Sequence, residues 1–256
     1  MSRNPDGSFS SLSPPIPDSY SPPTDVSIPQ FFLDSTHPLR PIRGSGSPWF
    51  IEDETGRTVE FEEVRSRTWG LANGIKGRWP SIAEDDVVCL FSPNNVDYMI
   101  TVWGAHRLSL TVSCANPIYT KDELVYQLQA TRSKLLFAHP TNIQVALQAA
   151  QEVGIEKSRI ITLLSTDKQL NAAIHGILTI DQLINEGLTS RAYFKEKRLS
   201  LGENKTKVAF YSFSSGTTGR PKAVAIPPPR SNSKYNSKCS LCEAERSNSS
   251  TGASSV

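Results

Sequence analysis

An α/β fold with a mostly parallel sheet and flanking helices is what this sequence predicts, and three observations carry the prediction. Short apolar runs of strand length recur at residues 87–91, 110–114, 135–138, 160–164 and 207–213. Between most of them lie segments whose apolar residues repeat at helical spacing, and strands separated by helices pair in parallel through crossover connections. The chain of 256 residues with 38% hydrophobic side chains is also long enough to bury a core.

The elements follow in order. Residues 1–48 hold ten of the eighteen prolines, which fix φ and remove amide donors, so regular ladders are excluded there. Residues 1–27 are read as a disordered Pro/Ser-rich tail and 28–48 as extended surface chain, pinned by Phe31, Phe32 and Leu33. Residues 49–51 and 57–60, separated by Glu54-Thr55-Gly56, read as a hairpin. Phe61, Val64, Thr68, Leu71 and Ile75 give a helix, with Gly77 as its expected stop.

After the strand at 87–91, Ser92-Pro93-Asn94-Asn95 supplies a turn and an N-cap. Val96, Met99, Ile100 and Trp103 then mark one buried helix face. Thr120 and Glu123 form a capping box ahead of Leu124 and Leu128. Ile143, Ala146, Leu147 and Ala150 make another helix, closed by Gly154. A short helix is expected at 180–184, and 207–213 is read as the last strand.

The stretch Ser214-Ser215-Gly216-Thr217-Thr218-Gly219-Arg220-Pro221-Lys222 follows directly. Glycines let the backbone turn tightly and bring N–H groups close to an anion, hydroxyls add neutral donors, and a lysine adds a point charge suited to phosphate. The loop leaves the end of a strand, where open α/β sheets place ligands. It is not a Walker A loop, because the position five after Gly216 is Pro221 rather than glycine, and the dinucleotide pattern G-x-G-x-x-G fails as well.

The segment from Ser214 to Val224 resembles, at every position, the phosphate loop of the adenylate-forming (AMP-binding) superfamily, which includes acyl-CoA synthetases, 4-coumarate–CoA ligases and luciferases. A second stretch, Ala115-Asn116-Pro117-Ile118-Tyr119-Thr120 with Glu123 and Gln127, is similar to 4-coumarate–CoA-ligase-like enzymes in particular, and residues 134–138 match that family's next strand in position. One departure is Ser109-Leu110-Thr111, where the family usually has glycine and alanine. The resemblance implies an ATP-dependent carboxylate–CoA ligase that forms an acyl-adenylate and then an acyl-CoA. It implies ATP with Mg²⁺, CoA as co-substrate and an aromatic or fatty carboxylic acid. It also implies that Ser214, Ser215, Gly216, Thr217, Thr218, Gly219 and Lys222 bind the phosphates.

The resemblance ends near Ile226, and residues 28–226 are expected to be a partial N-terminal AMP-binding domain. Residues 227–256 contain nine serines and little apolar surface, so an aberrant, disordered tail is expected there, from a frameshifted or otherwise truncated gene model. The family's downstream ribose, Mg²⁺ and catalytic-lysine motifs are not found in these residues, so no catalytic or metal-ligating residue is assigned. The chain alone is expected to be an inactive fragment.

Two alternatives from other classes are a non-catalytic nucleotide-binding fragment and a metal or redox module at Cys239-Ser240-Leu241-Cys242. The latter lacks a second pair or a nearby histidine.

Net charge of +2 supports neither nucleic-acid nor membrane steering. No run of 18 apolar residues and no secretory h-region is visible, so an intracellular protein, cytoplasmic or peroxisomal, is expected. Cys89 reads as a small core residue. His106 reads as a cap on the end of its helix, His139 and His175 as loop residues, and 195–198 as a solvated mixed-charge face. No Ser/His/Asp order points to a hydrolase.

Overall fold

A computed structural model describes residues 2–3, 9–10, 23–37, 40, 46–53, 55–163, 174, 176–214 and 222–227. Ahead of the main sheet, β1 (Ser2–Arg3) pairs with β2 (Phe9–Ser10), and β3 (Phe50–Ile51) pairs with β4 (Thr58–Val59) as the expected hairpin. Between them, Gln30–Asp34 forms a π-helical turn whose Leu33 is buried. The chain already lies against the domain at Pro23, whose carbonyl accepts from Asn204 Nδ2, and Thr24, whose carbonyl accepts from Gly202 N.

The main sheet has seven strands: β5 (Val87–Phe91), β6 (Thr111–Ala115), β7 (Leu135–Ala138), β8 (Ile160–Thr162), β9 (Leu178–Thr179), β10 (Phe210–Ser214) and β11 (Lys222–Ile226). Their spatial order is β11-β10-β6-β5-β7-β8-β9. All neighbours are parallel except β10 and β11. The last strand expected from the sequence is that of β10; β11 is an addition, made by Lys222, the last residue of the Ser/Gly/Thr segment, and the four residues after it.

Among the described residues, five helices cover the sheet: α1 (Phe61–Arg78), α2 (Val96–Arg107), α3 (Lys121–Thr131), α4 (Ile143–Val153) and α5 (Ile180–Thr189). Alternate residues of each central strand feed opposite cores. Val88, Leu90 and Val112 join Leu71, Ile75, Ile100 and Leu183 on the α1, α2 and α5 side. Cys89, Phe91, Ala115 and Leu136 join Leu124, Leu128, Ala146 and Ala150 on the α3 and α4 side. Every residue of β5 is buried, which is why the strand reads as an unbroken apolar run rather than an alternation.

The helix starts are local. Asn95 Oδ1 accepts from Asp97 N at 2.9 Å, and Thr120 with Glu123 completes the expected capping box. Thr179 and Gln182 form another at the head of α5, which runs to Thr189 rather than stopping at 184. Helix α4 ends at Gly154 in the left-handed region (φ 77°).

Gly77 does not stop α1, which continues to Arg78; a Cβ there would sit 2.6 Å from the Tyr193 ring. Nearby, a Cβ on Gly187 would lie 1.9 Å from the Gly70 carbonyl oxygen, so α1 and α5 cross at backbone contact. Buried Asn73 fastens the same crossing, donating to the carbonyls of Gly187 (2.8 Å) and Arg191 (3.0 Å) and accepting from Tyr193 N (2.7 Å).

Residues 195–198 are not a uniformly solvated face. Glu196 accepts from Arg107 Nη1 at 2.6 Å, and the same nitrogen reaches Asp34 at 2.8 Å. Arg107 is 4% exposed, so this is a mostly buried network joining the N-terminal arm, α2 and the segment before β10. Burial pushes the Glu196 carboxyl above its ordinary range, and the Arg107 charge opposes that. No helix among the described residues is long and apolar enough to cross a membrane.

Candidate functional site

The carboxyl edge of the sheet gathers the loops that follow β5, β6 and β7, and two of these are tied together. Asn142 Nδ2 donates to the Pro117 carbonyl, and His139 N donates to the Phe91 carbonyl at 3.1 Å. His139 also caps the short turn Pro140–Asn142. Strand β10 lies parallel to β6, with Phe210 opposite Val112 and Tyr211 opposite Ser113. Its far end, Ser214, therefore emerges at this same edge.

Ser214 pairs with Lys222 across the β10–β11 hairpin. Directly opposed residues of an antiparallel pair point to the same face of the sheet, so the hydroxyl and the ammonium project together. Both residues are exposed, and Lys222 forms no ion pair among the described residues. Of the residues expected to bind phosphate, the structure brings Ser214 and Lys222 together. Ser215, Gly216, Thr217, Thr218 and Gly219 lie outside the described residues, as do His175, Cys239 and Cys242.

The other end of β10 is pinned. The Ala209 carbonyl accepts from Val112 N (3.0 Å) and from His106 Nε2 (3.0 Å), Ala209 N donates to the Ile226 carbonyl (3.0 Å), and Thr111 Oγ1 donates to the Val208 carbonyl (3.1 Å). His106 is thus not a cap on α2 but a cross-link to the strand that carries the loop. Its ring packs edge-on against Phe210, with centroids 4.9 Å apart. Burial pulls its pKa down to about 4, so the imidazole is neutral at neutral pH. A neutral ring donating through Nε2 leaves Nδ1 as an acceptor, and Nδ1 has no partner among the described residues. No sequence signal marks this bond, because its ends lie 103 positions apart.

On the α3 side, Phe213 meets Tyr126 edge-on, with centroids 6.2 Å apart. They line a groove with Tyr119, Gln127 and Glu152. Gln127 is fully buried; its Nε2 donates to Ser113 Oγ at 2.8 Å, while its Oε1 has no partner among the described residues. Cys89 is fully buried in β5, and burial raises its thiol pKa. It is core, as expected. Among the described residues no three His, Cys, Asp or Glu side chains gather where they could hold a metal ion.

The sequence profile of the AMP-binding enzyme family matches residues 43–243, a span that runs past Ile226, where the motif resemblance ended. Acyl-CoA ligase AKT1 of Alternaria alternata is 30% identical over 176 residues, covering 67% of this chain and 30% of the relative. 4-Coumarate–CoA ligase 3 of Arabidopsis thaliana is 26% identical over 217 residues, covering 81% of this chain and 36% of the relative.

Among solved structures, the anthranilate CoA ligase AuaEII in complex with anthranoyl-AMP superposes with a TM-score of 0.63 at 17% identity, over 82% of this chain and 36% of that one, a likeness of fold. The chain spans about a third of the length of the curated relatives it matches. On the family match over most of its length, the chain belongs to the AMP-binding enzyme family.

Proposed function

We propose that the protein to which this chain belongs is an ATP-dependent carboxylate–CoA ligase, and that Ser214, Ser215, Gly216, Thr217, Thr218, Gly219 and Lys222 hold the phosphates of ATP. The observation that carries the reading is the pairing of exposed Ser214 with exposed Lys222, which meets no carboxylate among the described residues, at the carboxyl edge of a mostly parallel sheet. An ammonium so placed beside a hydroxyl-rich, glycine-containing loop fits a phosphate chain. Lys222 supplies the charge, backbone N–H groups of the loop supply donors, and Gly219 with Pro221 sets the turn.

ATP as adenylyl donor, with pyrophosphate as the leaving group, and CoA as acyl acceptor follow from the family. The relatives' names point to an aromatic or fatty acid as the carboxylate. No Mg²⁺ ligand is assigned in this chain. An intracellular setting, cytoplasmic or peroxisomal, belongs to the same proposal.

Assayed by itself, the 256-residue chain is proposed not to complete the reaction, because adenylation relies on several groups placed around the α-phosphate and Lys222 is the one cation assigned to the phosphates here. Incubation with ATP, CoA and a panel of cinnamate-like and fatty acids is expected to release no pyrophosphate or AMP. Turnover of about 1 s⁻¹ or more refutes this part of the proposal. In a chain extended to the length of its relatives, Lys222→Ala is expected to cost roughly 10- to 150-fold in kcat/KM, or about 1.5–3 kcal/mol. The double change Thr217→Ala with Thr218→Ala should cost less, and neither should alter the choice of acid. A shift in acid preference with unchanged ATP dependence assigns the loop to the wrong ligand.

A further inference from the structure

The opposite edge of the sheet carries an unneutralised basic depression. The end of α3, the start of β7 and the turn before β8 bring Arg132, Lys134 and Arg159 around a hollow of about 730 Å³. Its apolar wall includes Leu128, Val153 and Ile155. Elsewhere in the domain, cations of the body such as Arg67, Arg107, Lys197 and Lys207 each meet a carboxylate. Arg132, Lys134 and Arg159 meet none within 4.0 Å among the described residues; Arg159 makes only a long contact, 3.5 Å, to the Lys134 carbonyl.

The charges near the hollow do not cancel. Helices α3 and α4 both end here, at Arg132 and Gly154, and each helix C-terminus carries about half a negative charge. Asp86 also lines the hollow, with Oδ2 accepting from Ala83 N at 2.9 Å. Three cations against one carboxylate and two half charges leave about one positive charge. Arg132 holds a left-handed conformation, φ 51°, at a helix end where glycine is the usual solution. The chain thus keeps a guanidinium at this corner despite the backbone cost. Two guanidinium forks and an ammonium around a concave surface match the oxygens of a phosphate group.

We propose that this depression is an anion site, separate from the loop at the carboxyl edge, that takes a small phosphate-bearing molecule through Arg132, Lys134 and Arg159. The proposal is independent of the ligase reading. Its test is calorimetric titration of inorganic pyrophosphate into the chain carrying Lys222→Ala, which removes the cation of the other phosphate site. A saturable binding event is expected. In the same background, Arg132→Asn with Lys134→Gln should weaken it by about tenfold or more, and raising the salt from 50 to 200 mM should weaken it further. Asparagine is chosen because it tolerates the left-handed conformation.

Far-UV circular dichroism checks that the variants fold, and Arg159→Gln alone decides the matter should the double variant not fold. Absence of pyrophosphate binding at millimolar concentration overturns the proposal. So does binding that is unchanged in these variants.

Discussion

Strands β5 to β7 and the β10–β11 hairpin belong to one sheet but live in different surroundings. Leu90, Leu135 and Phe137 are completely buried between helix layers, whereas Val224 is 40% exposed and Phe210, Tyr211 and Phe213 are only half-buried. The strands with helices on both faces have their apolar surface satisfied within this chain. The hairpin is held by ladder bonds, by the Ala209 carbonyl junction and by ring contacts of Phe210 with His106 and of Phe213 with Tyr126. The segment with the strongest chemical signature is thus the least covered part of the sheet, consistent with ligand loops being drawn from the less stable parts of a fold.

The largest expected effect tests the covered region. Gly187→Ala places a methyl group 1.9 Å from the Gly70 carbonyl oxygen, and backbone cannot yield as a side-chain tip does. A loss of about 3 kcal/mol or more is expected in chemical denaturation, at the top of the overpacking range. A near-neutral result would show that the α1–α5 crossing does not limit the stability of the covered half.

Next comes the link between the two regions. His106 has a folded pKa of about 4 against an ordinary value of 6.5. As pH falls below 6.5 the unfolded chain binds a proton that the folded chain refuses until about pH 4, so stability drops across that window and is intact above it. The difference of 2.5 units corresponds to about 3 kcal/mol. Denaturation midpoints between pH 7 and 4, compared with His106→Gln, measure it; parallel profiles would remove the buried neutral imidazole from the account. Glu196 and Asp97, both raised by burial, act in the opposite sense but are common to the two proteins.

Hydrogen exchange addresses the hairpin directly. Amides of β11 should be less protected than those of β5 by about tenfold or more, equivalent to ~1.4 kcal/mol. Equal protection would mean that the hairpin opens only with the whole sheet. The smallest effect lies at the turn into β6. Ser109 sits at φ 60°, so Ser109→Gly relieves left-handed strain but loosens the unfolded chain, and a net gain of about 0.5–1 kcal/mol in stability is expected. A loss would place the value of this serine in its side chain.

The turn at Ser109-Leu110-Thr111 therefore has a structural meaning: Ser109 holds a left-handed conformation that glycine adopts without strain. That much could be anticipated from the sequence, because left-handed turns favour glycine for a local steric reason. The capping boxes at Thr120 and Thr179, the glycine at 154 and the continuous apolar run of β5 obey equally local rules, and four of the five expected strands keep their positions to within two residues. Gly77 misled because its role is a close approach to Tyr193, a partner far away in sequence. The β11 strand was missed because Lys222-Ala223-Val224-Ala225-Ile226 has a strand pattern only as part of a hairpin, and the loop motif drew the reading toward chemistry.

The sequence by itself determined the α/β class, the starts of the helices and the family to which the loop at Ser214–Lys222 belongs, because each rests on periods, caps and motifs within a few residues. Tertiary structure alone decided that Ser214 and Lys222 face one another, that His106 ties α2 to Ala209, that Arg107 joins Asp34 to Glu196, and that Arg132, Lys134 and Arg159 converge with no carboxylate partner among the described residues. These contacts depend on strand order and on helices crossing the sheet. A one-dimensional pattern does not encode which distant groups a crossover connection brings within hydrogen-bonding range.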